Sequence, residues 1–393
     1  MGNEPQTTAL ARRALRFARE HAVLAIAAVA ALATMAVVPP DGQYLGYLDW
    51  KTLGCLFCVL AVANAFRYLG AFDRVARVAI KRFSTLRSVA LALVVVTGAL
   101  SMVATNDLAL IIMLPLSATV LARAGWGRKI AALFVMEGLA ANLCGMIVPF
   151  GNPQNLYLYS CYGIGLGEFV QVMAVPFLVA TALVLLACAL LARTPDSAPA
   201  KMEPVPKQPL GRRRLVAYGL LLGLTVLAVL RIVPIGVAVV AVAVVLARTD
   251  RRALRAVDYP LLLTFACFFV FAGNMARMPF LSEALTGLMA ADGLLVAAGL
   301  SQVISNVPAA VLLSHFTSDW PALLAGVNVG GAGTLVGSLA SLITLQHFTS
   351  VRKVFPALDG LPELRTSHFL GLFTTLNAGF LAVLLLTCRL CGL

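Results

Sequence analysis

Long apolar runs separated by short basic segments set the pattern of this chain. They lie at Ala22–Val38, Thr52–Leu69, Ile130–Pro149 and Phe169–Leu191, and again at Leu215–Leu230, Val233–Leu246, Tyr259–Gly273, Ala322–Leu345 and Phe369–Cys388. Most approach the roughly 20 residues that a helix needs to cross a bilayer core. Val233–Leu246 is short, but basic segments flank Leu215–Leu246 on both sides. That arrangement demands an even number of crossings, and Arg231-Ile-Val-Pro234 offers the turn between two spans. Two further runs, Val89–Leu121 and Phe280–Phe316, are broken in the middle by Thr105-Asn106-Asp107 and Ser305-Asn306. Each reads as paired spans or as a re-entrant hairpin. Polar backbone at mid-depth is tolerated where it lines a cavity or packs on protein, which favours hairpins. The predicted fold is an all-α polytopic membrane protein of about nine spans plus two hairpins, with discontinuous helices.

Composition strengthens this class and excludes others. Of 393 residues, 61% are hydrophobic and 12% charged, against about 25% charged in soluble domains. The net charge of +13 sits between the apolar runs, at Arg74, Arg77, Lys81, Arg82 and Arg87, at Arg123, Arg128 and Lys129, and at Arg248, Arg251, Arg252 and Arg255. Basic loops of this kind orient a membrane protein and do not point to nucleic acid. A Pro-rich polar stretch divides the chain, so residues 1–21 read as a cytoplasmic N-terminal segment and 22–192 as a first half. Residues 193–214 read as a cytoplasmic linker and 215–393 as a second half. The first apolar run reads as a retained span, not a cleaved signal. Cys55/Cys58 and Cys388/Cys391 form C-x-x-C pairs without a second pair at zinc spacing and read as packing residues.

The halves resemble each other in order. Asp49-Trp50 opens a span carrying Asn64 and Arg67, and Asp258-Tyr259 opens one carrying Asn274 and Arg277. Thr105-Asn106 then matches Ser305-Asn306. Asn142 through Leu156 aligns without gaps on Asn328 through Leu342, pairing Asn142 with Asn328, Gly145 with Gly331, Gly151 with Gly337, Asn152 with Ser338 and Asn155 with Ser341. An odd number of crossings separates equivalent elements, so the repeats are expected to be inverted, a pattern that points to a transporter site at the breaks.

A helix broken inside the membrane exposes N–H groups that suit anions and carbonyls that suit cations. The candidate substrate and ion site is therefore Thr105, Asn106, Asp107, Gly151, Asn152 and Asn155 from one half, with Ser305, Asn306, Gly337 and Ser338 from the other. Thr105 and Ser305 are expected to cap the helices that follow. Asp107 is a costly carboxylate at mid-depth, suited to a sodium ion or a proton; Asn106, Asp107 and Gly151 are the candidate sodium ligands. Its counterpart Val307 has no such capacity. Glu137 is a candidate proton carrier or the partner of an arginine such as Arg67 or Arg277. The dispersed His21, His315, His347 and His368 argue against the rival class, an intramembrane metal-dependent enzyme.

The segments Ala104-Thr-Asn-Asp107, Gly151-Asn-Pro-Gln-Asn-Leu156 and Ser305-Asn-Val-Pro308 resemble the ion transporter superfamily. It comprises the arsenite permeases, the NhaD-type sodium/proton antiporters and the divalent-anion/sodium symporters. The likeness is greatest to the arsenite-permease and anion-permease branch. It implies a scaffold plus a transport domain that rocks or rises, and re-entrant tips that touch substrate. The symporters carry Ser-Asn-Thr at both tips, where this chain has Thr105-Asn106-Asp107 and Ser305-Asn306-Val307. The expected function is secondary transport of a small anion, an arsenite-like oxyanion or a carboxylate, with a sodium/proton antiporter as the alternative. No cofactor is expected beyond Na+ or H+ as coupling ion. The expected partners are the anion, the cation and the lipid bilayer, and a homodimer is compatible with this reading. The expected location is the inner membrane, with a cytoplasmic N-terminus and an external C-terminus.

Overall fold

A computed structural model of the chain describes residues 21–81, 83, 85–192, 211–358 and 360–393. The described residues form helices, with no strand among them. In order these are α1 (Ala22–Val37), α2 (Tyr44–Tyr47), α3 (Trp50–Tyr68), α4 (Ala71–Ile80), α5 (Leu86–Ala104), α6 (Asn106–Arg123), α7 (Ile130–Cys144), α8 (Pro153–Cys161) and α9 (Leu166–Leu191). The second half gives α10 (Arg212–Val229), α11 (Ile235–Thr249), α12 (Arg251–Arg255), α13 (Tyr259–Ala276), α14 (Pro279–Ile304), α15 (Asn306–Leu313), α16 (Trp320–Val329), α17 (Leu339–Val354) and α18 (Thr366–Leu390).

Eight helices among the described residues are long and apolar enough to cross a membrane. Large side chains such as Leu220, Val240, Phe280 and Leu390 are exposed, which suits contact with lipid rather than water. The chain is thus an all-α polytopic membrane protein. The span that contains α7 lies deepest, 83% buried, against 28% for α9 and α18.

Several expectations needed correction. Ala322–Leu345 is not one span: α16 ends at Val329, residues 330–338 are irregular, and α17 runs on to Val354. Four glycines (Gly330, Gly331, Gly333 and Gly337) remove the helical preference across that stretch. The run Ile130–Pro149, by contrast, forms one span as expected, α-helical to Cys144 and closed by a short 3-10 turn at Gly145–Ile147. Arg74 and Arg77 lie on helix α4, not in a loop. Arg212–Arg214, assigned to the linker, form the first turn of α10; residues 193–210 lie outside the described residues, as do residues 1–20 of the N-terminal segment.

The two broken runs differ in length. α5 and α6 have 19 and 18 residues, each about 28 Å long. α14 is interrupted at Asp292, which has non-helical backbone angles (φ −163°, ψ 82°) and accepts the Leu295 N–H at 3.0 Å as the cap of a new helix. The piece after Asp292 extends about 18 Å and the 8-residue α15 about 12 Å. Neither covers a core of about 30 Å alone.

The sequence matches between the halves recur as matching local structure. Asp49 caps α3 through the N–H groups of Lys51 and Thr52, and Asp258 caps α13 through Leu261. Asn64 Nδ2 donates to the Ala256 carbonyl (2.9 Å), while Asn274 Nδ2 donates to Thr34 Oγ1 (3.1 Å). Each matched asparagine therefore ties its helix to a neighbour. Arg277 pairs with Asp41 at 2.7 Å and reaches Tyr47 Oη at 2.9 Å. The Arg277 hydrogen bond holds the Asp41 carboxyl below its ordinary value. This tie is therefore present at neutral pH and lost as pH falls through that lowered value.

The buried apolar residues form two clusters. The larger joins the helices around the breaks; the smaller gathers Cys58, Leu60 and Val62 of α3 with Tyr218, Leu221, Val242 and Leu246 of α10 and α11. Helix α3 contributes to both.

Candidate functional site

The two tips share one backbone geometry. Between α5 and α6, Thr105 has φ 71° and ψ 151°; between α14 and α15, Ser305 has φ 76° and ψ 153°. Positive φ with strongly extended ψ is close to glycine-only territory and costs about 1–3 kcal/mol for other residues. Among the described residues, only Arg231 joins these two as a non-glycine residue with positive φ. The same strain on two hydroxyl residues at matched positions makes both tips candidates for the site.

This geometry also corrects the expected capping. Neither Thr105 nor Ser305 makes a side-chain cap hydrogen bond. Instead, the Asn106 N–H donates to the Gly151 carbonyl (3.3 Å), and the Asn306 N–H donates to the Gly337 carbonyl (3.0 Å). Each tip is thereby fastened to the break of its own half by the same bond. Close approach is essential at Gly151, where a Cβ would stand 2.2 Å from the Gly145 carbonyl oxygen.

The two breaks meet through buried amides. Asn328 on α16 is the hub. Its Nδ2 donates to Asn155 Oδ1 (2.6 Å) and the Leu324 carbonyl (2.8 Å). Its Oδ1 accepts from Asn152 (3.4 Å) and Gln154 (3.3 Å). Asn152 also donates to the Asn142 carbonyl at 3.1 Å, and Asn155 donates to the carbonyls of Met146 and Val148 at 3.2 and 3.3 Å. In the second half Ser338 caps α17 through the Ser341 N–H (3.3 Å) and contacts Ser341 Oγ at 2.9 Å. At Gly331 the second half comes close against Asn142 of the first. A Cβ there would lie 2.4 Å from Asn142 Nδ2 and 2.9 Å from Asn306 Nδ2.

Six buried polar atoms of this region have no hydrogen-bond partner: Thr105 Oγ1, Asp107 Oδ1, Asn142 Oδ1, Asn152 Oδ1, Gln154 Oε1 and Asn306 Nδ2. Each such group costs about 1–3 kcal/mol in a folded protein, so their concentration points to a polar ligand. Five are oxygens from the first half, suited to a cation; the sixth is an N–H donor from the second half, suited to an anion. Asn306 stands at the positive end of α15, which adds to that preference. Asp107 lies half-buried in the first turn of α6, where the helix dipole favours a negative charge.

Glu137 lies apart from this cluster and is fully buried. Its Oε1 meets Ser117 Oγ of α6 at 2.6 Å and Thr97 Oγ1 of α5 at 3.2 Å, and its Oε2 has no partner. Neither expected arginine pairs with it, and Arg277 is paired with Asp41 instead. Glu137 thus bridges both arms of the first broken run.

Asn142, Gln154 and Asn328 are site residues that the sequence reading did not select. Asn142 and Asn328 already stood at the head of the aligned repeat, and that pairing was the available signal.

Residues 13–319 match the citrate transporter family (CitMHS). The chain is 34% identical over 304 residues to the inner membrane protein YbiR of Escherichia coli K12, covering 76% of this chain and 80% of the relative. It is 30% identical over 302 residues to the uncharacterized transporter MJ0456 of Methanocaldococcus jannaschii, covering 76% and 81%. An uncharacterized transporter of Mycobacterium tuberculosis H37Rv is 28% identical over 339 residues, covering 76% and 78%.

Proposed function

Because the chain belongs to the citrate transporter family and is a multi-pass membrane transporter, we propose that it carries a small anion, an arsenite-like oxyanion or a carboxylate, coupled to sodium, to protons or to the membrane potential. The observation that carries this reading is the set of six unpartnered polar atoms in the tips, breaks and neighbouring helices of the two halves. Thr105, Asn106, Asp107, Gly151, Asn152 and Asn155 form the cation-seeking side, and Ser305, Asn306, Gly337 and Ser338 form the anion-seeking side. No lysine or arginine is among them, so the anion is held by amide N–H groups and helix dipoles with a neighbouring cation. Driving one negative charge inward against 100 mV costs about 2.3 kcal/mol, so import requires at least one accompanying cation.

The inverted arrangement of the halves and the re-entrant character of the tips belong to the same proposal. The shortness of α15 supports re-entrance in the second half. The location is the inner membrane, as in the name of the E. coli relative, with the N-terminus cytoplasmic and the C-terminus outside.

The decisive experiment is uptake into proteoliposomes across a panel of oxyanions and carboxylates, with imposed sodium, proton or electrical gradients. Wild type is expected to concentrate at least one anion under one gradient. Asp107→Asn is expected to insert and fold normally and to lose gradient-driven accumulation by more than tenfold, as removal of about 1.4 kcal/mol or more of coupling requires. Undiminished accumulation by the mutant would refute the role of Asp107. A second reading, sodium/proton antiport, is favoured by the unpartnered Asp107 carboxylate alone. It predicts sodium-driven proton flux in liposomes without any anion substrate.

A further inference from the structure

The second-half break holds a feature that the first lacks. Gln302 lies on the last turn of α14, three residues before the Ser305 tip. Its Nε2 lies 2.7 Å from the Gly330 carbonyl oxygen, 3.0 Å from that of Ala298 and 3.1 Å from that of Ala332. Its Oε1 accepts the Thr334 N–H at 2.8 Å, and Thr334 Oγ1 donates to the Gln302 carbonyl at 2.8 Å.

A carboxamide nitrogen has two protons, yet three carbonyl oxygens converge on it. Two of these oxygens, those of Gly330 and Ala332, stand at the negative end of α16 and its unwound continuation, which is what a broken membrane helix offers a small cation; the third, that of Ala298, lies one turn back on α14. In the first half the residue at the matching place before the tip is Met102, whose side chain has no N–H to give. Two of the three matching carbonyls there are met separately: Ser101 Oγ donates to Gly98 (2.7 Å), and Asn155 donates to Met146 (3.2 Å). The side-chain oxygens of Thr105, Asn142 and Asn152 stay unpartnered.

We propose that the Gln302 carboxamide permanently fills the cation position of the second half, so that the cation position of this transporter lies only among the first-half oxygens. The coupling cation is then one per cycle, and the inequality of the halves is functional: oxygens face the cation on one side, and a fixed amide replaces it on the other. This rests on the cation-coupled reading above only for the first-half ion.

The test is thermal unfolding of the purified, detergent-solubilised wild type, Gln302→Ala and Gln302→Glu. Sodium, potassium and lithium chlorides are titrated against N-methylglucamine chloride at constant ionic strength. Wild type is expected to follow a one-site isotherm with a Hill coefficient of about 1. Gln302→Ala uncovers the carbonyls and gains a second cation-dependent rise in Tm of about 2 °C or more. That gain persists when combined with Asp107→Asn, which removes the first response. Gln302→Glu sets an oxygen against three carbonyls, unfolds at a lower temperature without cation and recovers with it. A wild-type protein insensitive to cations beside a responsive Gln302→Ala would uphold the amide plug and overturn the cation-coupled reading. A wild-type Hill coefficient near 2, or variants whose cation response equals that of wild type, would overturn the plug itself.

Discussion

At the residue scale, Glu137 is defined by what surrounds it. Ser117 and Thr97 meet one carboxyl oxygen, and the other has no partner. A charge there would have no counter-ion in a region where charges are expensive, which is why a proton is the natural occupant if Glu137 takes part in transport. Glu137→Gln keeps the shape and can still bond both hydroxyls, so it is expected to fold like wild type. It also removes the exchangeable proton, so any proton-gradient dependence of uptake that Glu137 carries should vanish. Glu137→Ala leaves the buried Ser117 hydroxyl without its partner and should cost about 1–3 kcal/mol of stability. Melting curves of both variants, with uptake measured across a pH series, separate the roles. A Gln variant with unchanged pH dependence assigns Glu137 to packing alone. The residue's existence was legible in the sequence, as an acid inside an apolar run. Its partners were not, because Ser117 and Thr97 lie on other helices and neither signals contact by its own position.

At the element scale, long apolar runs announced most helices, and Asn, Gly and Pro clusters announced the breaks. The extent of the second break was concealed because Val327, Val329, Ala332, Leu335 and Val336 keep the run apolar straight through it. Helix α4 was concealed for the opposite reason. Its alternation of Arg with Val and Ala resembles a basic loop when read only for charge. The tips were legible as Thr105-Asn106 and Ser305-Asn306, but their shared strained backbone and matching bonds to Gly151 and Gly337 needed coordinates. The amide hub was half legible: Asn142 and Asn328 aligned, yet an asparagine inside a helix reads locally as an ordinary packing or hydrogen-bonding residue. Gly331 provides the test at this scale. Gly331→Ala pushes a methyl group against Asn142 and Asn306, and overpacking of this kind costs about 1–3 kcal/mol. Helix content by circular dichroism should stay unchanged while uptake falls steeply. Full transport by the variant would show that the two halves do not need this approach.

At the scale of the whole molecule, the smaller apolar cluster around α3, α10 and α11 is joined to the site-bearing helices through polar contacts as well as packing. Arg231 makes one of them. It sits in the turn between α10 and α11 at φ 63°, donates to the Tyr159 carbonyl, and lies 4.7 Å above the Tyr159 ring. Tyr159 is in the last turn of α8, where carbonyls lack helical partners and a cation is favoured. If α8 moves with the transport domain, this contact must break in every cycle. For an exposed arginine a hydrogen bond and ring contact together are worth about 1–2 kcal/mol, so Arg231→Ala should shift the balance between positions by roughly tenfold. Cys161, at the end of α8, supplies a native reporter, because it and Cys391 are the exposed cysteines among the described residues. In a Cys391→Ser background, the labelling rate of Cys161 by a membrane-impermeant thiol reagent should change by about tenfold in Arg231→Ala. Arg231→Lys should give an intermediate change, since it keeps the charge but loses the planar fork that bonds and stacks together. Equal rates in all three proteins would mean that Arg231 fastens parts that never separate.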